Sequence, residues 1–382
     1  MSPQAPEPTY GTTAPVRVLT LVKGLDRGGA ETLLLVGARH RDRAATTQRL
    51  AYLSRDHHQL VSELEAEGIP VSCVAPGSML NPGWLLRLRR LMSDAEVVHS
   101  HSPVPAVTAR LTALTLPRRR RPRLLTTEHN EWASHHPLTR LAERMTFRLD
   151  DAHLAVSEAV RSSLPASYRP SVEVLIAGVD IDSVRSQADR TGARAELGVT
   201  DGEVLVGTVA NLRPHKGYPD LLRAARQVLE TAPSVRFVAV GHGPSVDEIT
   251  DLHRDLGLAD RFTFLGHRRD AIRLMSGFDI FCLASHHEGL PVALMEALVL
   301  GIPVVTTRAG GIPELIDDGS QGRLVDIADV SALTNALLAE VNDHDARTHH
   351  SQHSAASGET LAIQRSVQRT EAIYAELTGR LR

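Results

Sequence analysis

Ser285-His286-His287-Glu288-Gly289-Leu290-Pro291-Val292-Ala293-Leu294-Met295-Glu296-Ala297-Leu298 is the stretch on which the reading of this chain turns. Ahead of it, the largely apolar run Asp279–Ser285 reads as a buried parallel strand. From Pro291 onward, apolar residues recur at helical spacing (Val292, Leu294, Met295, Leu298, Val299), and proline suits a first helical turn. Glu288 is therefore expected in the turn after a strand, with Glu296 roughly 8 Å up the helix that follows. Between the two carboxylates lies a helix N-terminus, whose free N–H groups and positive dipole end suit a phosphate or diphosphate. Each carboxylate can accept a pair of vicinal hydroxyls. Sugar hydroxyls at one end, a diphosphate in the middle and ribose hydroxyls at the other describe a nucleotide sugar. Two glutamates eight positions apart also arise by chance as surface residues, so the pair needs companions.

The chain around this stretch is long enough for two domains, since 382 residues let each bury its own core. Apolar residues at 42% and charged residues at 23% are typical of soluble globular proteins. A net charge of −3 gives no global bias toward nucleic acid. Cys73 and Cys282 fall in apolar runs and read as core residues, with no support for a disulfide or a zinc site. Residues 1–15 carry no basic residue and no apolar centre, so a loose tail is expected there and not a signal peptide. The nearest approach to a membrane span, around residues 289–307, is interrupted by Pro291, Glu296 and Pro303, so a cytoplasmic protein is expected. Lysine occurs only at Lys23 and Lys216, the latter inside a loop that also holds Gly217.

Short β-like runs alternate with helical patterns over nearly the whole length. In the first half they are Val16–Lys23, Gln48–Ser54, Pro70–Ala75, Glu96–His99, Arg123–Thr127 and Ala152–Val156. In the second half they are Val204–Ala210, Arg236–Val240, Phe262–Leu265, Ile280–Ala284, Pro303–Thr306 and Gly322–Val325. Strands alternating with helices imply parallel sheets covered on both faces, with ligands at the carboxyl ends of the strands. An α/β chain of two doubly wound domains follows, broken near Pro165–Ile176. The divisions expected are a tail (1–15), an N-terminal domain (16–170), a C-terminal domain (171–360) and a closing helix (361–382). Asn342–Gly358, polar and rich in His and Ser, reads as a loop. Leu361–Leu377 reads as a helix with Ile363, Val367, Ile373 and Tyr374 as its apolar stripe.

Several strand ends carry residues suited to the same ligand. The first strand runs into a turn holding Gly28 and Gly29, where a backbone can approach a ligand closely at a helix start. The spacing is not G-x-G-x-x-G, which disfavours a nicotinamide dinucleotide. His99 and His129 close two further strands; histidines in such places are often packing or capping residues. The pairs His57-His58, His135-His136 and His349-His350 lack metal spacing and read as solvent-facing. Opening the second series, Asn211-Leu212-Arg213-Pro214-His215-Lys216-Gly217 places two cations in a strand-end loop before a helix. Cations there would stabilise the charge that a departing nucleoside diphosphate develops. Gly241 and Gly310-Gly311 mark two more turns on that edge. Asp180-Ile181-Asp182 has the form of a metal-binding D-x-D but sits at the domain junction and reads as chance. Arg118–Arg123 and the helix Trp84–Met92 mix arginines with apolar residues. Each reads first as a solvated surface, and second as a transient contact with an anionic membrane face.

With these pieces placed, the sequence resembles the retaining GT-B glycosyltransferases of family 4 over about residues 16–380. The likeness rests on the Gly28-Gly29 loop, Arg213–Gly217, Val240–Gly243 and the block from Phe264 through Glu288, Glu296 and Gly310-Gly311. It implies two Rossmann-like domains facing across a cleft, with the C-terminal helix crossing back onto the first. It further implies hexosyl transfer from a UDP-sugar, with a GDP-sugar as the alternative, without a metal or other cofactor. Acceptors would be a saccharide, a lipid-linked glycan or a small natural product, as in envelope or exopolysaccharide synthesis. Carried over by position, Glu288 would hold the transferred sugar and Glu296 the ribose. Lys216 and Arg213 would neutralise the diphosphate, and His129 would approach the donor from the first domain. Gly28, Gly29, Asn211, Gly241, Gly289 and Leu290 would complete the donor site. The family usually has arginine where Asn211 stands, so the second cation shifts to Arg213; its Asn-Gly-Val-Asp reads Ala177-Gly178-Val179-Asp180 here. A sugar-nucleotide epimerase of the same architecture and a non-catalytic nucleotide-sugar-binding protein are the competing readings.

Overall fold

Short β-branched and aliphatic runs, each bounded by Gly, Pro or polar residues, assemble into two wholly parallel sheets. The structure, a computed structural model, describes residues 14–54, 56–76 and 83–381, so nearly all of the expected tail lies outside the described residues. The first sheet comprises β1 (Val16–Val22), β2 (Thr46–Tyr52), β3 (Val71–Cys73), β4 (Val97–His101), β5 (Arg123–Glu128), β6 (Ala152–Ala155) and β7 (Val172–Val174). The second comprises β8 (Leu205–Val209), β9 (Arg236–Val240), β10 (Phe262–Phe264), β11 (Ile280–Leu283), β12 (Val304–Thr307) and β13 (Gly322–Val325). Their orders are β3-β2-β1-β4-β5-β6-β7 and β10-β9-β8-β11-β12-β13. Winding direction reverses between β1 and β4, and again between β8 and β11. At such a point neighbouring loops diverge and leave a crevice outside the carboxyl ends of the strands.

Helices cover both faces of each sheet. Those used below are α1 (Gly29–His40), α2 (Gly83–Ser93), α3 (Pro103–Leu114), α4 (Pro137–Thr146), α5 (Glu158–Ser163), α6 (Tyr218–Thr231), α7 (Val292–Val299), α8 (Val330–Asn342), α9 (His344–Gly358) and α10 (Ile363–Leu377). Alternate residues of a strand point to opposite faces, and β11 feeds two cores accordingly. Phe281 and Leu283 pack with Leu294, Met295 and Leu298 of α7. Ile280 and Cys282 pack with Leu221 and Leu222 of α6 and Leu333 and Leu337 of α8. Both cysteines are free, and burial pushes the Cys282 thiol up to about 12.

The closing helix crosses back onto the first domain as expected. Tyr374 OH lies 2.7 Å from His99 Nδ1, Glu371 accepts from the Asp42 amide (2.9 Å), and Arg380 bonds Glu96 (2.9 Å). Three expectations need correction. Asn342–Gly358 is not a loop: Asn342 ends α8 and α9 follows, its first turn capped by Asp343, which accepts from Ala346 N (2.8 Å). The inward face of α9 is built from Ser354, His350 and Gly358, small or polar residues that leave no apolar stripe to read. His350 is accordingly buried rather than solvent-facing, bonded to Glu340 Oε2 at 3.0 Å. The strand β7 lies in the stretch read as a break between domains; three residues carry too little pattern to announce it. Asp180 caps the helix Ile181–Ser186 by accepting from Ser183 N (2.9 Å).

Candidate active site

The loops after β8 and β11 meet at the second reversal point. Gly217 is left-handed (φ 65°), and a Cβ there would stand 1.8 Å from the Ala284 carbonyl, so only glycine lets the two loops touch. The contact is stapled by His286 N donating to His215 O (2.8 Å) and by His286 Nε2 against Asp220 Oδ2 (2.6 Å). Held this way, Lys216 Nζ stands 2.6 Å from Glu288 Oε1, and Ser285 Oγ donates to the same oxygen at 2.6 Å. Glu288 is nearly buried, so its charge is compensated by lysine and hydroxyl and not by bulk water.

Glu296 sits on α7, two turns beyond Glu288, half-buried, with no hydrogen-bond or ion-pair partner among the described residues. Burial alone pushes its carboxyl up to about 7. An acceptor group held in a cleft without a partner is suited to a ligand that brings hydroxyls. The N-terminus of α7 lies between the two glutamates, with Pro291 at the cap position and no side chain capping the free amides.

The first domain closes over this edge. A Cβ on Gly289 would stand 1.8 Å from the His129 carbonyl, which puts the Glu288 loop directly against the end of β5. Gly29, at the start of α1, faces Val292 at the start of α7, with 3.3 Å between a would-be Cβ and Val292 Cγ2. Leu290 packs against both the second-domain core and the first-domain cluster of Phe147, Val156 and Val160. Glu314 clasps the domains: its two carboxylate oxygens accept from the Glu158 and Ala159 amides at the start of α5 (2.8 and 2.9 Å).

His129 belongs to a histidine group at the carboxyl edge of the first sheet. Its Nε2 lies 2.9 Å from His101 Nδ1, and the His101 and His99 rings are 4.3 Å apart. Burial lowers His129 to about 4 and His99 to about 3, and burial with its two histidine neighbours holds His101 well below the ordinary 6.5, so all three rings are neutral at pH 7. His99 itself is a packing residue, sandwiched between Tyr374 OH and Thr127 Oγ1 (both 2.7 Å).

The remaining expected residues are also placed. Arg213 is exposed at the mouth, makes no ion pair among the described residues, and its charge reaches Glu31 in the first turn of α1. Asn211 is half-buried in the same loop. Gly241 backs that loop, its would-be Cβ 2.0 Å from Ala210 O, so it shapes the wall and presents no side chain. Gly28 sits beside the Glu31 carboxylate, whose pKa burial raises. Glu31 and Glu314 were not singled out from sequence. Glu31 stood beside the paired glycines in a helix first turn, a readable signal; Glu314 has its partners in the other domain, and no local pattern announces that.

This geometry accords with the kinship of the chain. Residues 14–183 match the family described as Glycosyltransferase Family 4, and residues 189–356 match Glycosyl transferases group 1. The chain belongs to this family of glycosyltransferases. It is similar to the N-acetyl-alpha-D-glucosaminyl L-malate synthase of Bacillus anthracis, 27% identical over 203 residues and 53% of either chain. It is also similar to the GDP-mannose-dependent alpha-(1-6)-phosphatidylinositol monomannoside mannosyltransferase of Mycolicibacterium smegmatis, 32% identical over 215 residues, 53% of this chain and 56% of that one. The chain thus spans about half the length of the curated relatives it matches. Anabaena HepE, solved with UDP and glucose, shares the GT-B fold at a TM-score of 0.83 and 23% identity, covering 94% of this chain and 99% of that one.

Proposed function

We propose that this chain is a retaining glycosyltransferase that moves a hexosyl group from a nucleoside diphosphate sugar, a UDP-sugar in preference to a GDP-sugar, to an acceptor hydroxyl. The observation that carries the reading is the row Glu288, α7 N-terminus, Glu296, with Lys216 beside it and the His129 carbonyl against the Glu288 loop from the other domain. Glu288 holds hydroxyls of the transferred sugar, the amides of α7 with Lys216 and Arg213 hold the diphosphate, and Glu296 holds the ribose. The acceptor oxygen attacks the anomeric carbon on the face the leaving group departs from. The new C–O bond forms as the bond to the β-phosphate oxygen breaks, and the acceptor proton passes to a diphosphate oxygen. The protein supplies position and preorganised positive charge for the leaving diphosphate, a role for which Lys216, Arg213 and the helix end are sufficient without a metal. UDP is favoured because Anabaena HepE binds it on this fold; the mannosyltransferase relative, named as GDP-mannose-dependent, keeps guanosine in view. The acceptor is proposed to be an envelope or exopolysaccharide saccharide, a lipid-linked glycan or a small natural product.

Nucleotide release from a panel of UDP- and GDP-sugars, with EDTA present, tests this for wild type and Glu288→Ala. Release from one donor that is lost in the variant supports metal-independent transfer and names the donor. Epimerised donor by NMR, without nucleotide release, would replace transfer by epimerisation. Tight donor binding with no turnover across an acceptor panel would leave a binding protein.

A further inference from the structure

Exposed apolar side chains are concentrated on one face of the first domain. On α4, Leu138, Leu141 and Met145 follow the i, i+3, i+7 spacing of a single helical row, and Leu149 extends it; all four are between 40% and 78% exposed. Alongside, α3 turns Leu111 and Leu114 outward, 51% and 49% exposed. The two helices are pinned together by Arg110, which is wholly buried and donates to Glu143 Oε1, Thr146 Oγ1 and Asp150 Oδ2 (3.3, 3.3 and 2.7 Å). Arg110 thus holds α3 against α4, and both helices carry exposed apolar side chains. The sequence pointed to Arg118–Arg123, which borders this face, and to α2, where Leu88 and Met92 are buried and Leu86 is 68% exposed.

The charge on this surface has one sign. Residues 103–149 hold nine arginines and three glutamates in a chain of net charge −3. Glu128 and Glu143 are buried, and Glu131 is half-buried beside His287. Arg118, Arg119, Arg120, Arg140, Arg144 and Arg148 make no ion pair among the described residues, whereas most arginines elsewhere are paired with carboxylates. An apolar row edged by uncompensated arginines fits a surface that offers both hydrocarbon and negative charge.

We infer that α3, α4 and the Arg118–Arg120 turn form a docking face for an anionic lipid bilayer. The leucines and Met145 enter the headgroup–acyl boundary, and the arginines bind lipid phosphates. A second copy of this chain is a poor occupant, since two such faces would oppose arginine to arginine. Both helices start at the carboxyl edge of the first sheet, and Glu131, just ahead of α4, lies 3.7 Å from His287 of the Glu288 loop. Docking therefore brings the mouth of the cleft to the headgroup layer, where lipid-linked acceptors would be met. The inference stands apart from the transferase reading, because vesicle binding needs no turnover.

The test is flotation of the full chain with phosphatidylcholine vesicles, with and without phosphatidylglycerol, at low and high salt. Wild type is expected to bind the phosphatidylglycerol vesicles at least tenfold better, with binding falling as salt rises. Leu141→Ser/Met145→Ser and Arg144→Gln/Arg148→Gln should each reduce that binding at least tenfold, with unchanged melting temperature and donor turnover, because the substituted side chains are solvent-facing. Equal binding to both vesicle types, or variants that bind as wild type does, would overturn the inference. So would a wild-type dimer in solution that Leu141→Ser/Met145→Ser converts to monomer, which would assign the face to a second copy.

Discussion

Lys216 Nζ stands 2.6 Å from Glu288 Oε1, so the cation proposed for the diphosphate and the carboxylate proposed for the sugar form one ion pair. A donor that engages both parts them: its diphosphate takes the place of Glu288 beside Lys216, and its sugar hydroxyls take the place of Lys216 beside Glu288. Glu288→Ala is therefore expected to lower kcat by about 10²–10³, the scale of losing one preorganised polar group at a reacting centre. It should leave UDP or GDP affinity unchanged or slightly tighter, since Lys216 is released toward the diphosphate. Calorimetric titration beside turnover measures both. Equal losses in the two would refute the role given to Glu288.

Glu296 gives a pH signature. Its carboxyl, raised by burial from the ordinary 4.5 to about 7, must be ionised to accept two ribose hydroxyl protons. Nucleotide affinity should therefore climb as pH rises through 7, with proton release on binding below that point, and Glu296→Gln should flatten the profile. The stability sign is opposite. Between about 4.5 and 7 the folded chain keeps a proton that the unfolded chain has lost, so this group's contribution falls as pH rises through that window. Glu296→Gln should thus gain about 1–2 kcal/mol on wild type at pH 8 relative to pH 5, because solvent at the half-buried side chain screens part of the effect. An identical stability difference at both pH values would count against it.

How much of this was legible follows from which residues carry pattern. β11 and α7 were readable because Ile280–Leu283 is continuous apolar sequence and the residues after Pro291 switch to helical spacing. The loop pairing of Lys216 with Glu288 was not, although both residues were singled out, because a contact between residues so far apart depends on β8 and β11 lying side by side. α9 was misread because its packing uses Ser354 and Gly358, whose burial needs close backbone approach and leaves no hydrophobic period. Glu314 was invisible for a third reason: a carboxylate that caps a helix in the other domain looks like any surface glutamate.

That clasp has a measurable consequence. Glu314 gives the closed arrangement two charge-assisted hydrogen bonds at the start of α5. Because Glu314 is exposed, its contribution is about 1 kcal/mol, well under what two such bonds give when buried. Glu314→Ala should shift the domains toward an open arrangement by roughly fivefold, raising donor KM by a similar factor with little change in kcat once saturated. Small-angle scattering should show a larger radius of gyration. A variant with wild-type scattering and KM would mean that the clasp follows closure without contributing to it.

His99 joins α10 to the first sheet through Tyr374 and Thr127. Burial lowers its pKa from 6.5 to about 3, so the folded chain keeps the ring neutral while an unfolded chain protonates it below pH 6.5. The stability it confers is complete above 6.5 and is lost as pH falls, by up to about 1.4 kcal/mol per unit until the folded value is reached. His99→Gln has no such titration but forfeits the two buried hydrogen bonds, a loss of about 1–2 kcal/mol at pH 7.5. The gap between wild type and variant should therefore be widest near pH 7.5 and close or reverse by pH 5, as read from urea melts at the two values. Tyr374→Phe is the control: it removes a bond to the same ring but leaves the histidine to titrate, so its gap from wild type should change little with pH. A His99→Gln gap that stays constant from pH 7.5 to 5 would show that this ring is not held neutral in the fold.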